Sequence, residues 1–282
     1  MVPAVQLLWL NLLTDGLPAL GADPQSGDGR APISFIRTAS FRTSTMSVTY
    51  DFSDDVAVVT GAGGALGSAI ATAFADAGAT VAAVDIVEPD SEDFLLDPER
   101  DPIDVYQGDF TNESDVESVF ESIVADHGGI DYLANVAGTW RGGTPIDETE
   151  EATFEFLMNV NLKTMFLASK HAIPHLRERE GAIVSVSARS SLEGGEGDGI
   201  YRASKAGVRL LTETIAEENL GDVRANAVMP SVIDTPMNRE MMPDSDHESW
   251  VEPADIADVV RWLCSDAASV TSGAAVPVYG EA

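Results

Sequence analysis

VAVVTGAGGALGSAIATAFADAGATVAAVD (Val56 to Asp85) reads as a strand, a glycine-rich turn, a helix and a second strand. Val56 to Thr60 is a β-branched run. Leu66 to Ala77 is a helix of small residues stopped by Gly78, and Thr80 to Asp85 is apolar up to its terminal acid. In the turn, TGAGGALG (Thr60 to Gly67), residues without a Cβ let the main chain approach a pyrophosphate closely. The helix beyond offers unpaired N–H groups and the positive end of its dipole. Gly61, Gly63, Gly64 and Gly67 are the expected contacts, with Ala65 and Leu66 in the same run. A strand-to-helix turn with no ligand would also carry glycines, and Asp85 tips the balance against it. An acid at the end of the second strand accepts hydrogen bonds from ribose hydroxyls. A 2′-phosphate would sit against that carboxylate, and Ile86 and Val87 bring no arginine to compensate, so NAD is favoured over NADP.

The same alternation continues down the chain. Val105 to Gln107, Asp131 to Asn135, Ala182 to Val186 and Arg224 to Val228 read as buried strands, separated by helical patterns such as Val116 to Ala125, Phe154 to His171 and Tyr201 to Asn219. Regular βα alternation with short links predicts a single α/β domain, a doubly wound Rossmann-type parallel sheet with helices on both faces.

The order of motifs resembles the short-chain dehydrogenase/reductase family in its classical form, over essentially all of residues 50–280. The family's loop reads TGxxxGxG, so Ala65 stands in for the central glycine. The resemblance implies that Asp109, with Phe110 beside it in GDFT, contacts adenine. It implies that NVAG (Asn135 to Gly138) is the family's NNAG element, which brings Asn135, Ala137 and Gly138 to the cofactor. In YRASK, Tyr201 and Lys205 lie four residues apart on one helical face, as the family's proton-transfer pair does. A phenol with an ordinary pKa of ~10 must become more acidic to exchange a proton near neutrality, and a nearby ammonium favours phenolate. In relatives the lysine also holds the nicotinamide ribose. Asn161 in MNVNL matches the asparagine whose helix kink and carbonyl hold a water in the proton relay, with Asn159 as its competitor. In RANAVMPSVIDTPM, the resemblance assigns Pro230, Val232, Ile233 and Thr235 to the nicotinamide end, with Ser231 where glycine is usual.

One departure concerns the serine that polarises the substrate oxygen. The family offset falls on Ala188, with serines at Ser187, Ser190 and Ser191. Ser187, shifted by one residue, is the expected substitute, with Ser190 and Arg189 as alternatives. The resemblance therefore implies an NAD-linked oxidoreductase that interconverts a small-molecule alcohol and its ketone. It leaves two other readings: a relative acting on a double bond or a sugar, and a nucleotide-binding sensor without turnover. Asn238 to Trp250 falls where relatives carry a variable substrate lid, and Thr271 to Gly280 resembles the last strand, which accompanies homotetramers or dimers.

Composition limits the partners. With 47 Asp and Glu against 16 Lys and Arg, the formal net charge is -31, so nucleic acid and anionic membrane are excluded as partners. The acids are spread along the chain and the lysines are only Lys163, Lys170 and Lys205. This is the pattern of a halophilic protein, whose self-repulsion is screened when the Debye length falls to ~3 Å at 1 M salt. The single cysteine, Cys264, forms no intrachain disulfide and points to the cytoplasm.

Residues 1–45 read differently from residues 46–282, which form the NAD-binding domain. An apolar opening gives way to Gly/Asp/Ser/Pro and then Ser/Thr/Arg. VQLLWLNLLTDGLPAL (Val5 to Leu20) resembles an intramembrane segment of P-type cation ATPases, with Asn11 and Asp15 on the ion-coordinating positions. It is too short to span a bilayer, which takes ~20 apolar residues, and it has no partner helices. The expectation is a disordered or poorly packed extension, with Met46 as the native start.

Overall fold

The computed structural model describes residues 49–281. The expectations for residues 1–45, including the ATPase resemblance, lie outside them. Seven parallel strands form one sheet in the order β3-β2-β1-β4-β5-β6-β7. They are β1 (Val56–Thr60), β2 (Thr80–Asp85), β3 (Ile103–Gln107), β4 (Tyr132–Asn135), β5 (Ala182–Val186), β6 (Arg224–Pro230) and β7 (Ala275–Val278). The helices are α1 (Ala65–Asp76), α2 (Glu113–His127), α3 (Glu151–Met158), α4 (Thr164–Arg179), α5 (Gly199–Glu218), α6 (Pro236–Met241) and α7 (Pro253–Cys264). This is the doubly wound architecture expected from the alternation.

Two apolar cores cover the sheet. On one face Ile70 and Phe74 of α1 and Ile256, Val260 and Leu263 of α7 pack on β1, β2 and β5. On the other, Val116 and Ile123 of α2, Leu176 of α4 and Val208 of α5 pack against Val58, Leu133 and Ile183. Central strands are buried on both sides, which is why β1 and β5 are apolar without alternation. Cys264 belongs to the first core, where burial pushes its thiol up to about 12, as expected of an inert structural cysteine.

Two features depart from plain alternation. No helix joins β2 to β3: residues 86–102 cross as an irregular segment in which Phe94 and Leu96 provide the buried apolar cover. Between α3 and α4 the chain makes a π turn, Asn159–Lys163, at the asparagine singled out from the sequence. Single π turns inside helices recur at functional sites. The strand order reverses between β1 and β4, so the crevice opens beyond their carboxyl ends.

Candidate active site

Thr60, the last residue of β1, ties the two sides of the crevice together. Its Oγ1 accepts the N–H groups of Val136 at 3.0 Å and Ala137 at 3.2 Å, locking NVAG to the glycine-rich turn. Gly61 has φ +66°, and a Cβ there would lie 2.8 Å from the Cα of Ala137. A Cβ on Gly67 would collide with the carbonyl of Gly61. Gly64 caps α1 without a side chain over the first N–H groups, and the first turn holds no acid. These residues fit a dinucleotide: close main-chain approach, a free helix N-terminus and no competing carboxylate. Asp85 stands at the end of β2, its Oδ2 accepting Gly63 N–H at 2.8 Å and its Oδ1 accepting Val87 N–H at 3.0 Å. Lone pairs remain on both oxygens for ribose hydroxyls. Beside it the apolar Ile86 is 61% exposed.

At the far side of the crevice α5 carries Tyr201 and Lys205. Lys205 is buried, and its Nζ donates to the main-chain carbonyl of Val186 at 2.9 Å. Burial lowers its pKa to about 8. A Cβ on Gly138 would stand 2.9 Å from Asn161 Oδ1 and 3.0 Å from Lys205 Nζ, so the end of β4, the π turn and α5 converge on one glycine. Asn161 is fixed on three sides. Its Oδ1 accepts Thr139 N–H at 2.8 Å, and its Nδ2 donates to Thr139 O at 3.0 Å and Ser204 Oγ at 3.1 Å. Asn159 makes no such link and caps α3 instead.

Tyr201 differs from expectation in the protein alone. Burial and the charge of Asp198 push its phenol up to about 12, against a smaller opposing effect from Arg202. The Lys205 ammonium is held on Val186 O. The loop leading into α5 is folded onto Arg202, which donates to Asp198 at 2.6 Å and to Glu193 O at 3.2 Å. Next to the start of α5 a cavity of about 620 Å³ is lined by Trp140, Arg141, Leu157, Asp198, Ile200 and Met241. Met241 comes from the segment read as the substrate lid.

Several side chains point elsewhere than expected. Ser187 Oγ donates to the main-chain carbonyl of Lys205 at 2.8 Å and is 2% exposed, so its proton is committed to holding α5 against β5. Ala188 is also buried. Ser190 is half-buried and lies in the 3₁₀ turn Arg189–Leu192. Asn135 turns into the core, where its Nδ2 donates to Ser169 Oγ at 3.1 Å and Ser185 Oγ at 3.2 Å. The Phe110 ring is likewise buried, packed on Phe120. Asp109 Oδ1 accepts from Thr111 N at 2.9 Å and Thr111 Oγ1 at 2.7 Å, ordering the turn after β3. Pro230 is buried at the end of β6. Val232 and Ile233 are partly buried, with Ile233 paired to Val251 by one β-bridge. Thr235 caps α6 by accepting Asn238 N–H at 3.2 Å. Ser231, at the usual glycine position, donates to Tyr279 O at 2.7 Å and anchors this segment to the chain beyond β7.

Comparison with known proteins agrees with this geometry. The sequence model described as enoyl-(acyl carrier protein) reductase, one of the short-chain dehydrogenase/reductase models, matches residues 61–280. The chain belongs to the short-chain dehydrogenase/reductase family. Members use a nicotinamide cofactor, NAD or NADP. Among the family's curated proteins, the 3-oxoacyl-[acyl-carrier-protein] reductase of Thermotoga maritima is 34% identical over 238 residues, covering 80% of this chain and 96% of the relative. The meso-2,3-butanediol dehydrogenase of Serratia marcescens is 32% identical, covering 82% and 95%. The solved structure of the aldohexose dehydrogenase from Thermoplasma acidophilum superposes with a TM-score of 0.74 at 30% identity, covering 83% of this chain and 96% of that one. The resemblance of Val5 to Leu20 to a P-type ATPase segment is not borne out. The family match begins at Gly61, and no helix among the described residues is long and apolar enough to cross a membrane.

Proposed function

We propose that this family member is an NAD(H)-dependent oxidoreductase that interconverts a small-molecule alcohol and its ketone, with Tyr201 as the general acid/base. The observation that carries this reading is the convergence of Asn161 and Lys205 on Gly138, beside a helix that presents Tyr201 on the same face as Lys205. Held by the glycine-rich turn, Asp85 and Lys205, a bound NAD would supply the hydride acceptor for oxidation and, reduced, the donor for the reverse reaction. In oxidation the alcohol proton passes to the Tyr201 oxygen as the C–H hydride leaves. In reduction the same phenol donates its proton to the carbonyl oxygen. Lys205 supplies positive charge that favours phenolate once its Nζ is drawn from Val186 O toward the crevice. Asn161 orders the floor of that relay through Thr139 and Ser204. Because the Ser187 proton is engaged, we assign the substrate-polarising hydroxyl to Ser190.

NAD is preferred because Asp85 closes the ribose end with a carboxylate and no cation stands beside it in sequence. The names of relatives support alcohol chemistry, since butanediol, galactitol and aldohexose dehydrogenases are among them. The enoyl reductase description of the matching family keeps double-bond reduction as the second reading. Ala188 gives weight to a third reading, a nucleotide-binding sensor without turnover. A cytoplasmic, salt-adapted homo-oligomer fits the charge of -31 and the half-exposed Phe154, Phe166 and Leu210 on α3, α4 and α5. The deciding experiment is a screen of alcohols, ketones and enoyl compounds with NAD(H) and NADP(H) in molar KCl, with Tyr201→Phe alongside. Alcohol oxidation that disappears in Tyr201→Phe supports the proposal. Cofactor binding without turnover across the panel moves it to the sensor.

A further inference from the structure

Gly63 is held between the end of β2 and the segment that replaces a helix between β2 and β3. Its N–H donates to Asp85 Oδ2 at 2.8 Å, and its carbonyl accepts Leu95 N–H at 2.8 Å. A Cβ added to it would lie 2.5 Å from Phe94 Cδ2 and 3.1 Å from Asp85 Oδ2. Phe94 is 7% exposed and, with Leu96, joins the core under α1, whereas the Leu95 side chain is 54% exposed. The acidic connecting segment holds one cation, Arg100, which pairs with Asp76 on α1. Both polar groups of Gly63 are thus engaged and its open face is covered by an aromatic ring.

We infer that Phe94 and Leu95 form a specificity-determining strap that keeps the ribose site closed to a 2′-phosphate, independently of the charge on Asp85. This rests on the NAD reading above. A phosphate beside Asp85 would need donors or a cation. The main-chain donor already there, Gly63 N–H, is bound to the carboxylate. Releasing it requires Gly63 to rotate, which breaks the Leu95 bond and displaces the Phe94 ring. A ribose with free hydroxyls asks for none of this, because the spare lone pairs of Asp85 are enough. Removing the charge at Asp85 is therefore insufficient to create a phosphate site while the strap is in place.

The test is a comparison of NADH and NADPH affinity by calorimetric titration of the full chain in molar KCl. Asp85→Asn removes the charge but keeps an acceptor for Gly63 N–H. Phe94→Leu loosens the ring contact within an apolar side chain. Leu95→Pro deletes the N–H that Gly63 accepts, at a position whose side chain is exposed, so this strap variant replaces no buried side chain. Asp85→Asn alone is expected to weaken NADH and leave NADPH weak. Adding Phe94→Leu or Leu95→Pro to it is expected to tighten NADPH by about tenfold, a non-additive gain between residues that share Gly63 as a partner. If neither double variant binds NADPH more tightly than Asp85→Asn, the strap has no part in selectivity and the inference falls. If wild type binds NADPH as tightly as NADH, it is the NAD reading itself that fails, a result distinguishable from the first.

Discussion

Ser187 donates its hydroxyl hydrogen to the main-chain carbonyl of Lys205 across 2.8 Å, from inside the protein. The hydroxyl one residue from the family position therefore fastens the end of β5 to α5. Ser187→Ala is expected to cost about 1 kcal/mol of stability, the ordinary value of a lost hydrogen bond, with kcat nearly unchanged. Ser190→Ala is expected to lower kcat by about 10²-fold, as losing one donor to a developing oxyanion does. Steady-state kinetics and urea unfolding of both variants decide the matter. A collapse of kcat in Ser187→Ala alone would restore the original assignment.

Tyr201 is expected to titrate near 12 in the protein alone, where burial and Asp198 hold it up. With oxidised NAD present, the midpoint is expected to fall by about two pH units or more, because positive charge beside a phenol favours phenolate. Ultraviolet difference titration of wild type against Tyr201→Phe isolates this one tyrosine from the other four. An unchanged midpoint would argue against a proton-transfer role. Tyr201→Phe itself is expected to lose at least about 10²-fold in kcat.

The buried Lys205 makes stability depend on pH in a definite direction. Its folded pKa, about 8, lies below the ordinary 10.5, so the unfolded chain binds the extra proton between these values. Stability is therefore penalised below about pH 8 and the penalty fades as pH rises toward 10.5, by on the order of 3 kcal/mol. Between pH 7 and 9.5, Tm of wild type is expected to rise relative to Lys205→Met, which is expected to be inactive. Parallel pH profiles for the two proteins would contradict a buried ammonium.

The net charge of -31 gives a fourth handle. Raising KCl from 0.1 M to above 1 M shortens the Debye length from ~10 Å to ~3 Å or less and screens self-repulsion. Tm is expected to climb steeply over that range. A Tm independent of KCl would remove the salt-adaptation reading.

Much of this molecule was legible before any coordinates. The run Val56 to Asp85 carries its own punctuation, with Gly78 ending the helix and Asp85 ending the strand, and its glycines mark real close approaches at Gly61 and Gly67. The four-residue spacing of Tyr201 and Lys205 could be read from the sequence, and the helix kink that the family resemblance implied at Asn161 is a π turn. What stayed hidden was side-chain direction in strands buried on both faces. Ser187 and Asn135 sit at the ends of such strands, where alternation gives no signal, and each turns its side chain inward, as Phe110 does in the turn after the edge strand β3. The hydrogen bond of Lys205 to Val186 O, a main-chain group that no spacing rule exposes, was likewise hidden. DFLLD (Asp93 to Asp97) has no period of its own, so its grip on Gly63 appears only in three dimensions.

The bonds that assemble the crevice join residues remote in sequence: Thr60 reaches Val136 across 76 positions, Asn161 reaches Ser204 across 43, and Lys205 reaches Val186 across 19. Long-range pairing of this kind forms late and slowly during folding. A nascent chain released after β4 would own the glycine-rich turn and Asp85, yet would lack the helix that completes the crevice. Recovery of nucleotide affinity during refolding is accordingly a clock for the finished domain, lagging behind helix content and recording the moment when α5 docks.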